Sequence, residues 1–161
     1  MIFTADDLRH LVIRDALNYL NDWSPAAENL LLGTAAQESG LGGWNKGRRV
    51  GLYHITPAMH RAVWDKYLIN DPSLASEVRG MAGQRSFLRA PHGELITNLT
   101  YATAIAWMIY RRANQELPDA NNPIELGKFW LRHFHPKAKG TVADFACSYR
   151  LLIQKQEKAA A

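Results

Sequence analysis

The stretch SPAAENLLLGTAAQESGLGG (residues 24–43) decides the fold, because it contains a helix with clear signals at both ends. Ser24 is a favoured N-cap residue and Pro25 suits the first helical position, while the glycines that follow Ser39 end a helix. Most residues between these ends are small or apolar, and their spacing is helical. The pattern therefore predicts a buried helix that carries Glu38 in its last turn, on or beside the buried face.

The rest of the chain carries the same helix signals. The apolar, proline-free segment 94–114 predicts a central helix that is buried on most sides. Glycine-rich segments 40–55 and 80–93 are predicted to be irregular, and 50–55 is the one strand candidate, as a short hairpin edge. Helix starts are predicted at Thr4, Ser24, Thr56, Asp71, Pro123 and Thr141. Together these signals predict a single, mainly α domain.

The composition is that of a globular protein. A length of 161 residues suffices for one compact domain, and 47% hydrophobic residues exclude a disordered chain. No apolar run is long enough to cross a bilayer, and Asp6 and Asp7 stand where a signal peptide would be basic, so neither membrane insertion nor a signal peptide is predicted. The single cysteine, Cys147, excludes an internal disulfide, and its apolar neighbours predict a buried thiol.

The charge pattern indicates attraction to a polyanion without identifying it. The net charge is +4 and the positive residues are dispersed, so nucleic acid, an anionic membrane and an acidic wall polymer all remain partners to consider, beside simple solvation. None of the six histidines has the spacing of a zinc site. No metal and no cofactor are therefore predicted.

Glu38 is the candidate for chemistry. Burial and the negative end of the helix dipole both favour its neutral form, and a carboxylic acid that stays protonated near neutral pH can act as a general acid. The alternative is a surface glutamate at a fraying helix end. No other Asp or Glu occurs from Ser39 to Trp64, so a single-acid mechanism fits better than a carboxylate pair, although a remote partner such as Asp65 or Asp71 remains open.

The segment ESGLGGWNKGRRVGLYHITPAMH (38–60) resembles the soluble lytic transglycosylase family of the lysozyme superfamily. In that family a helix ends in Glu-Ser, a loop follows, and a Gly-Leu-Met-Gln-Ile-x-Pro type motif comes next, which Gly-Leu-Tyr-His-Ile-Thr-Pro (51–57) matches here. The helix from Asn98 is similar to the family's central helix. Segment 128–145 is similar to its Tyr-Asn segment, especially in phage proteins. The resemblance covers residues 27–145.

The resemblance implies a lysozyme-like fold with a substrate cleft, as a single domain over residues 1–161. Helices 4–21 and 141–158 would pack on the part that resembles the family. Glu38 would then be the catalytic acid/base that cleaves the β-1,4 bond between N-acetylmuramic acid and N-acetylglucosamine in peptidoglycan. The sugar's own 6-hydroxyl would attack and leave a 1,6-anhydro end, while attack by water remains open. The substrate-binding residues would be Ser39, Trp44, Tyr53, His54, Thr56, Tyr101, Phe134 and His135.

Arginines and tryptophans near these motifs also bear on the cleft. Arg48 and Arg49 meet peptide carboxylates of the wall or are simply solvated. Trp44, in the glycine loop, is expected to stack on a sugar, whereas Trp107 and Trp130 lie in apolar helices and are predicted to be core residues.

The sequence departs from the family pattern in two places. His54 stands where the family commonly has glutamine, and Phe134-His135 replace its Tyr-Asn, so a hydroxyl is lost, for which His135 or Tyr101 are the candidate replacements. This favours a second hypothesis, in which a weak or inactive lysozyme-like module of a phage particle binds the wall. A helical nucleic-acid binder is a third, but it leaves the pattern from Glu38 to Pro57 without purpose.

The implied partners are peptidoglycan glycan strands and other virion proteins, with neither nucleic acid nor a membrane. The implied location is the phage virion or, after injection, the host periplasm.

Overall fold

The computed structural model describes residues 3–43 and 47–161. The prediction of a mainly α protein is confirmed, because helices account for 71% of the structure. Within the described residues, β structure is limited to one isolated antiparallel bridge between Val50 and Ile55, so the expected hairpin edge is reduced to a single pair. No helix among these residues is both long and apolar enough to cross a membrane.

The helices follow one another with short connections. Helix α1 runs through Ala5–Asp7, Leu8–Ile13 and Arg14–Tyr19, the middle part being π-helical. The subsequent helices are α2 (Pro25–Ser39), α3 (Pro57–Ala62, continued by Val63–Tyr67 and Leu68–Asn70), α4 (Pro72–Met81), α5 (Gln84–Arg89), α6 (Glu94–Thr97), α7 (Leu99–Arg111), α8 (Pro123–His133) and α9 (Val142–Tyr149, continued by Arg150–Gln154 and Lys155–Ala160). A 3₁₀ turn at Pro91–Gly93 precedes α6.

The predicted helix starts are confirmed. In each case a side-chain oxygen accepts a hydrogen bond from a backbone N–H in the first turn, which satisfies a donor that has no partner inside the helix. The capping residues are Thr4, Ser24, Thr56, Asp71, Asn122 and Thr141. Local signals thus set where the helices begin.

The middle of segment 94–114 is buried as predicted, but the segment does not form one helix. Every residue from 101 to 110 is buried, whereas the chain turns out of helical geometry at Asn98, with φ −117° and ψ 93°. The Asn98 side chain accepts a hydrogen bond from the N–H of Tyr101 and donates to the carbonyl of Met81 and to Glu94. Asparagine side chains compete with the helix in this way, which explains the break.

Segment 80–93 is not irregular, so that prediction is wrong. Helix α4 continues to Met81, and α5 occupies Gln84–Arg89. The N–H of Gly83 donates to the Glu94 carboxylate at 2.7 Å, so a contact across the segment fixes the start of α5. Glycine signals a break in a local pattern, but a partner distant in sequence decides which structure the next residues adopt.

The prediction of a buried thiol at Cys147 is also wrong, because this residue is exposed. Its neighbours Phe145 and Ala146 are buried, while Cys147 lies on the outer side of α9. Apolar neighbours along the chain do not share a helix face with the residue between them, since each step rotates the side chain by about 100°.

Helix α2 lies at the centre of the structure and packs against α1, α7, α8 and α9. Gly33 permits close contact with α9, since a Cβ there would lie 2.3 Å from the ring of Phe145. Arg9 joins three elements, because its guanidinium pairs with Glu28 of α2 and with Glu157 at the end of α9. These contacts hold α2 firmly, and its last turn supplies the candidate site.

Candidate active site

Glu38 lies in the last turn of α2, as predicted. The helix ends at Gly40, whose left-handed backbone (φ 58°) suits glycine. The Glu38 side chain is only 6% exposed, and it borders a cavity of about 250 Å³. The cavity is lined by Gln37, Glu38, Arg49, Trp130, His135, Lys137, Ala138, Lys139 and Gly140.

Three side chains surround the carboxylate. The indole N–H of Trp130 donates to Glu38 Oε1 at 3.0 Å, and His135 Nδ1 lies 2.9 Å from the same oxygen. Arg49 Nη1 lies 3.7 Å from Oε2, which makes an ion pair without a close hydrogen bond. The acid is therefore held in one orientation by groups from two other parts of the chain.

Two local structures place these partners. The bridge between Val50 and Ile55 closes a tight turn. Within the turn Gly51 adopts φ +76°, and its carbonyl accepts a hydrogen bond from the N–H of His54 at 3.3 Å. The turn presents Arg49 to the cavity. At the end of α8 the N–H of His135 donates to the Trp130 carbonyl at 3.1 Å, so both side chains reach Glu38.

The closer of the two Arg49 contacts decides which ring nitrogen of His135 accepts. Guanidinium N–H groups only donate, and Arg49 contacts both ring nitrogens of His135. A neutral imidazole has one acceptor, so we assign Nε2 as the acceptor from Arg49 Nη2 and Nδ1–H as the donor to Glu38 Oε1. The 3.1 Å contact of Arg49 Nη1 with Nδ1 then joins two donors and is not a hydrogen bond. Oε1 then accepts from both His135 and Trp130.

The expected proton-giving acid is surrounded by donors. A guanidinium, an imidazole and an indole N–H all lie against its carboxyl group. The sequence did not show this, because Arg49 and His135 are distant from Glu38 along the chain. A proton-giving Glu38 stays a prediction, and it requires a proton to arrive from His135 or from the cavity.

Three residues predicted to bind substrate instead hold the fold. The Ser39 hydroxyl donates to the carbonyl of Leu52 at 2.6 Å and accepts from the N–H of Gly42 at 2.9 Å. The Tyr53 hydroxyl, with the side chain fully buried, pairs with Thr103 at 2.9 Å. Thr56 caps α3. None of the three lines the described cavity.

Other predicted site residues are buried away from the cavity lining. His54 is fully buried and adopts φ +48°. The Tyr101 hydroxyl lies 2.6 Å from His60 Nε2 and accepts from the indole of Trp64 at 2.9 Å. Phe134 stacks on Tyr110, with ring centroids 5.2 Å apart.

His135 is the exception, because it lines the cavity with Glu38. Trp44 lies outside the described residues.

Sequence reasoning missed the main partner of Glu38. Trp130 is 1% exposed, so its assignment to the core is confirmed, yet its N–H reaches the acid. The sequence does contain one signal for this contact. Trp130 lies five residues before His135, so Trp130 and His135 both lie at the C-terminal end of α8. Arg49 lines the cavity, as do Lys137 and Lys139, whose charges the sequence alone shows only as part of a dispersed positive pattern.

The cavity carries more positive than negative charge. Its described lining contains one carboxylate, that of Glu38, against the cationic side chains of Arg49, Lys137 and Lys139. Among the described residues, no three His, Cys, Asp or Glu side chains are grouped so that they could hold a metal ion. The arrangement suits acid/base chemistry on a polar or anionic ligand.

Comparison with protein-family models, with curated proteins and with solved structures gave no match. The resemblance of residues 27–145 to lytic transglycosylases therefore stays a prediction from the motifs.

Proposed function

We propose that this protein cleaves the glycan strands of peptidoglycan at the β-1,4 bond between N-acetylmuramic acid and N-acetylglucosamine, with Glu38 as general acid and then base. The observation that supports this most is the setting of Glu38. It ends a buried helix, borders a cavity, and is the one carboxylate among the described lining residues. The motif resemblance supports the same reaction.

The chemistry needs a single acid. Protonated Glu38 gives its proton to the glycosidic oxygen as the bond from that oxygen to C1 of the muramic acid breaks. The resulting carboxylate then accepts the proton of the 6-hydroxyl, whose oxygen bonds to C1 and forms a 1,6-anhydro ring. A mechanism with two carboxylates would place the second about 5–10 Å from the first, across the bond. The lining supplies instead a donor-rich wall of arginine, lysine and histidine.

His135 is suited to supply the proton. Its Nδ1–H faces Glu38 Oε1 at 2.9 Å, so a short transfer places the proton on the acid once Arg49 has left Nε2 and Nε2 has taken another proton from outside. Trp130 holds the same oxygen in place throughout, since an indole N–H donates in either charge state. The histidine thereby takes the place of the family's Tyr-Asn pair at the acid.

The direct test is Glu38→Gln, which keeps the shape of the side chain and removes its titration. We expect cleavage of purified cell wall to fall by about 10²- to 10⁴-fold, the usual contribution of a general acid. Glu125→Gln is the matched control, because Lys128, three residues along α8, is the one ion-pair partner of Glu125 among the described residues. Clearing of the wall by Glu38→Gln at the wild-type rate would remove the acid from this role.

Product mass separates the two outcomes of the reaction. Anhydro ends weigh one water less than hydrolysed ends, so mass spectrometry of the released fragments distinguishes attack by the 6-hydroxyl from attack by water.

A second candidate function is wall binding with little or no cleavage. It is favoured by the contacts of Trp130 and His135 with Glu38 Oε1, which engage the acid within the protein, and by the burial of Phe134 where the family has a tyrosine hydroxyl. This candidate predicts that wild type and Glu38→Gln sediment equally with cell-wall sacculi and that neither releases fragments. In both cases we propose a virion protein that meets the host wall, on the resemblance of 128–145 to phage proteins.

A further inference from the structure

We propose that the cavity beside Glu38 recognises a carboxylate next to the scissile bond, through Arg49, Lys137 and Lys139. The carboxylate that fits is the free lactyl group of an N-acetylmuramic acid whose stem peptide has been removed. This inference rests on the proposed function and names its substrate class, namely peptide-free glycan strands.

The first support is charge without a counterpart. Lys137 and Lys139 line the cavity, and neither forms an ion pair with a carboxylate among the described residues. Asp144 lies near Gly140 at the cavity edge, but its carboxylate accepts from the backbone and the hydroxyl of Thr141 at 2.7 and 3.0 Å. The positive field therefore remains available to an anionic ligand.

The second support is the geometry of Arg49. Its guanidinium is 28% exposed at the cavity and lies 3.7 Å from Glu38 Oε2, so the pair lacks a close hydrogen bond. A guanidinium has five N–H donors in a planar fork that matches a carboxylate. An arriving carboxylate can thus bind Arg49 more closely than Glu38 does.

The third support is size. A cavity of about 250 Å³ that is open on one side accepts a substituent of a few heavy atoms beside the acid. The lactyl group is attached to the same sugar ring whose C1 reacts, so its carboxylate lies close to the bond that Glu38 protonates. The carboxylates of a stem peptide lie several bonds farther out.

Recognition of this carboxylate also acts on the acid. When the ligand takes the Arg49 guanidinium, Glu38 loses the positive charge that stabilises its ionised form, and His135 Nε2 loses the donor that blocks it. The proton then passes more readily to Glu38. The substrate charge would therefore raise kcat as well as lower KM.

The experiment compares three glycan preparations with the full chain. The first has free lactyl carboxylates after enzymatic removal of the peptides, the second keeps its stem peptides, and the third is the first with its carboxylates converted to methylamides. We expect kcat/KM to be at least about 10-fold higher on the first than on either other, since a charge-assisted hydrogen bond contributes on this scale.

Charge variants assign the effect to the cavity. Lys137→Gln with Lys139→Gln should remove most of the preference for free-carboxylate strands, measured as the ratio of kcat/KM on free-carboxylate strands to kcat/KM on methylamide strands. Lys155→Gln with Lys158→Gln removes two exposed lysines from the end of α9 and is the matched control. Equal wild-type rates on free and methylamide strands would overturn the proposal. A preference for intact stems would overturn the lactyl assignment.

Binding separates this inference from the proposed function. N-acetylmuramic acid and its methylamide are titrated into wild type and into the double lysine variant, followed by NMR shifts of the tryptophan indole protons. Selective binding of the acid without cleavage of any strand would retain the carboxylate site and refute the enzyme. Equal cleavage of all three strands would support the enzyme and refute the carboxylate site.

Discussion

Replacement of Gly51 by alanine is expected to destabilise the protein through one specific contact. A Cβ on Gly51 would lie 1.9 Å from the carbonyl oxygen of Leu95, a backbone atom that moves only if α6 moves with it. The residue also has φ +76°, which side-chain-bearing residues adopt at a cost. The turn that presents Arg49 to the cavity depends on this residue.

The magnitude is the sum of three contributions. The left-handed backbone costs alanine about 1–2 kcal/mol. Steric overlap in a packed interior adds about 1–3 kcal/mol. Alanine also reduces the conformational freedom of the unfolded chain, which offsets about 0.4–1 kcal/mol of this cost. The free energy of unfolding should therefore decrease by about 3 kcal/mol. At about 2–4 °C per kcal/mol for a chain of this size, Tm should fall by about 6–12 °C.

Gly47→Ala is the matched control. Gly47 also has a positive φ, of +57°, but no described atom lies within 4 Å of its Cβ position. Only the backbone contribution applies, so its net cost should be about 1 kcal/mol and its Tm shift about 2–4 °C. Thermal unfolding by circular dichroism at 222 nm measures all three proteins. Equal shifts for the two variants, or an unchanged Gly51→Ala, would refute the contact with α6.

Three further outcomes are expected. Burial acts to raise the pKa of Glu28, but hydrogen bonds from two arginines and a tryptophan outweigh it and lower the pKa to about 2. The ionised side chain therefore adds to the free energy of unfolding above about pH 4.3, and this contribution is lost as the pH falls toward 2. Urea unfolding at pH 7 should show a loss of about 3 kcal/mol for Glu28→Gln and within about 0.5 kcal/mol for the exposed Glu125→Gln. Burial, and then nearby positive charge, lowers the pKa of His60 to about 4. The free energy of unfolding should therefore decrease as the pH is lowered from about 6.5 to 4, because only the unfolded chain takes up this proton. We expect His60→Asn to weaken this pH dependence and His10→Asn to retain it. Asn98→Ala should cost about 1–2 kcal/mol in the same unfolding assay, because it removes the cap of α7, and an unchanged midpoint would contradict that role.

The helix starts could be predicted because their signals are local. A capping side chain and a proline in the first helical position act within four residues, so Ser24-Pro25 and Thr56-Pro57 need no knowledge of the rest of the fold. The burial of Glu38 could be predicted from the same helix. Asn98 is also a local signal for a helix break. Whether the helix breaks there depends on the hydrogen bonds of Asn98 to Met81 and Glu94, which are near it only in the folded chain.

The partners of Glu38 could not be predicted in the same way. Arg49, Trp130 and His135 come from two other segments, and their meeting depends on how α8 packs on α2. Periodicity assigned Trp130 to the core correctly but gave no information on where its N–H points. Composition likewise indicated a positive surface, while the position of the lysines at the acid depends on the tertiary structure.

The exposure of Cys147 gives the protein a single chemical handle. It is the one thiol in the sequence, and the next residue, Ser148, donates a hydrogen bond at 2.9 Å to Gln37, which lines the cavity. A maleimide dye coupled there sits at one defined point, one residue from a contact that reaches the cavity wall. The protein can therefore be labelled or immobilised without any change to its sequence, and its ligand occupancy followed optically.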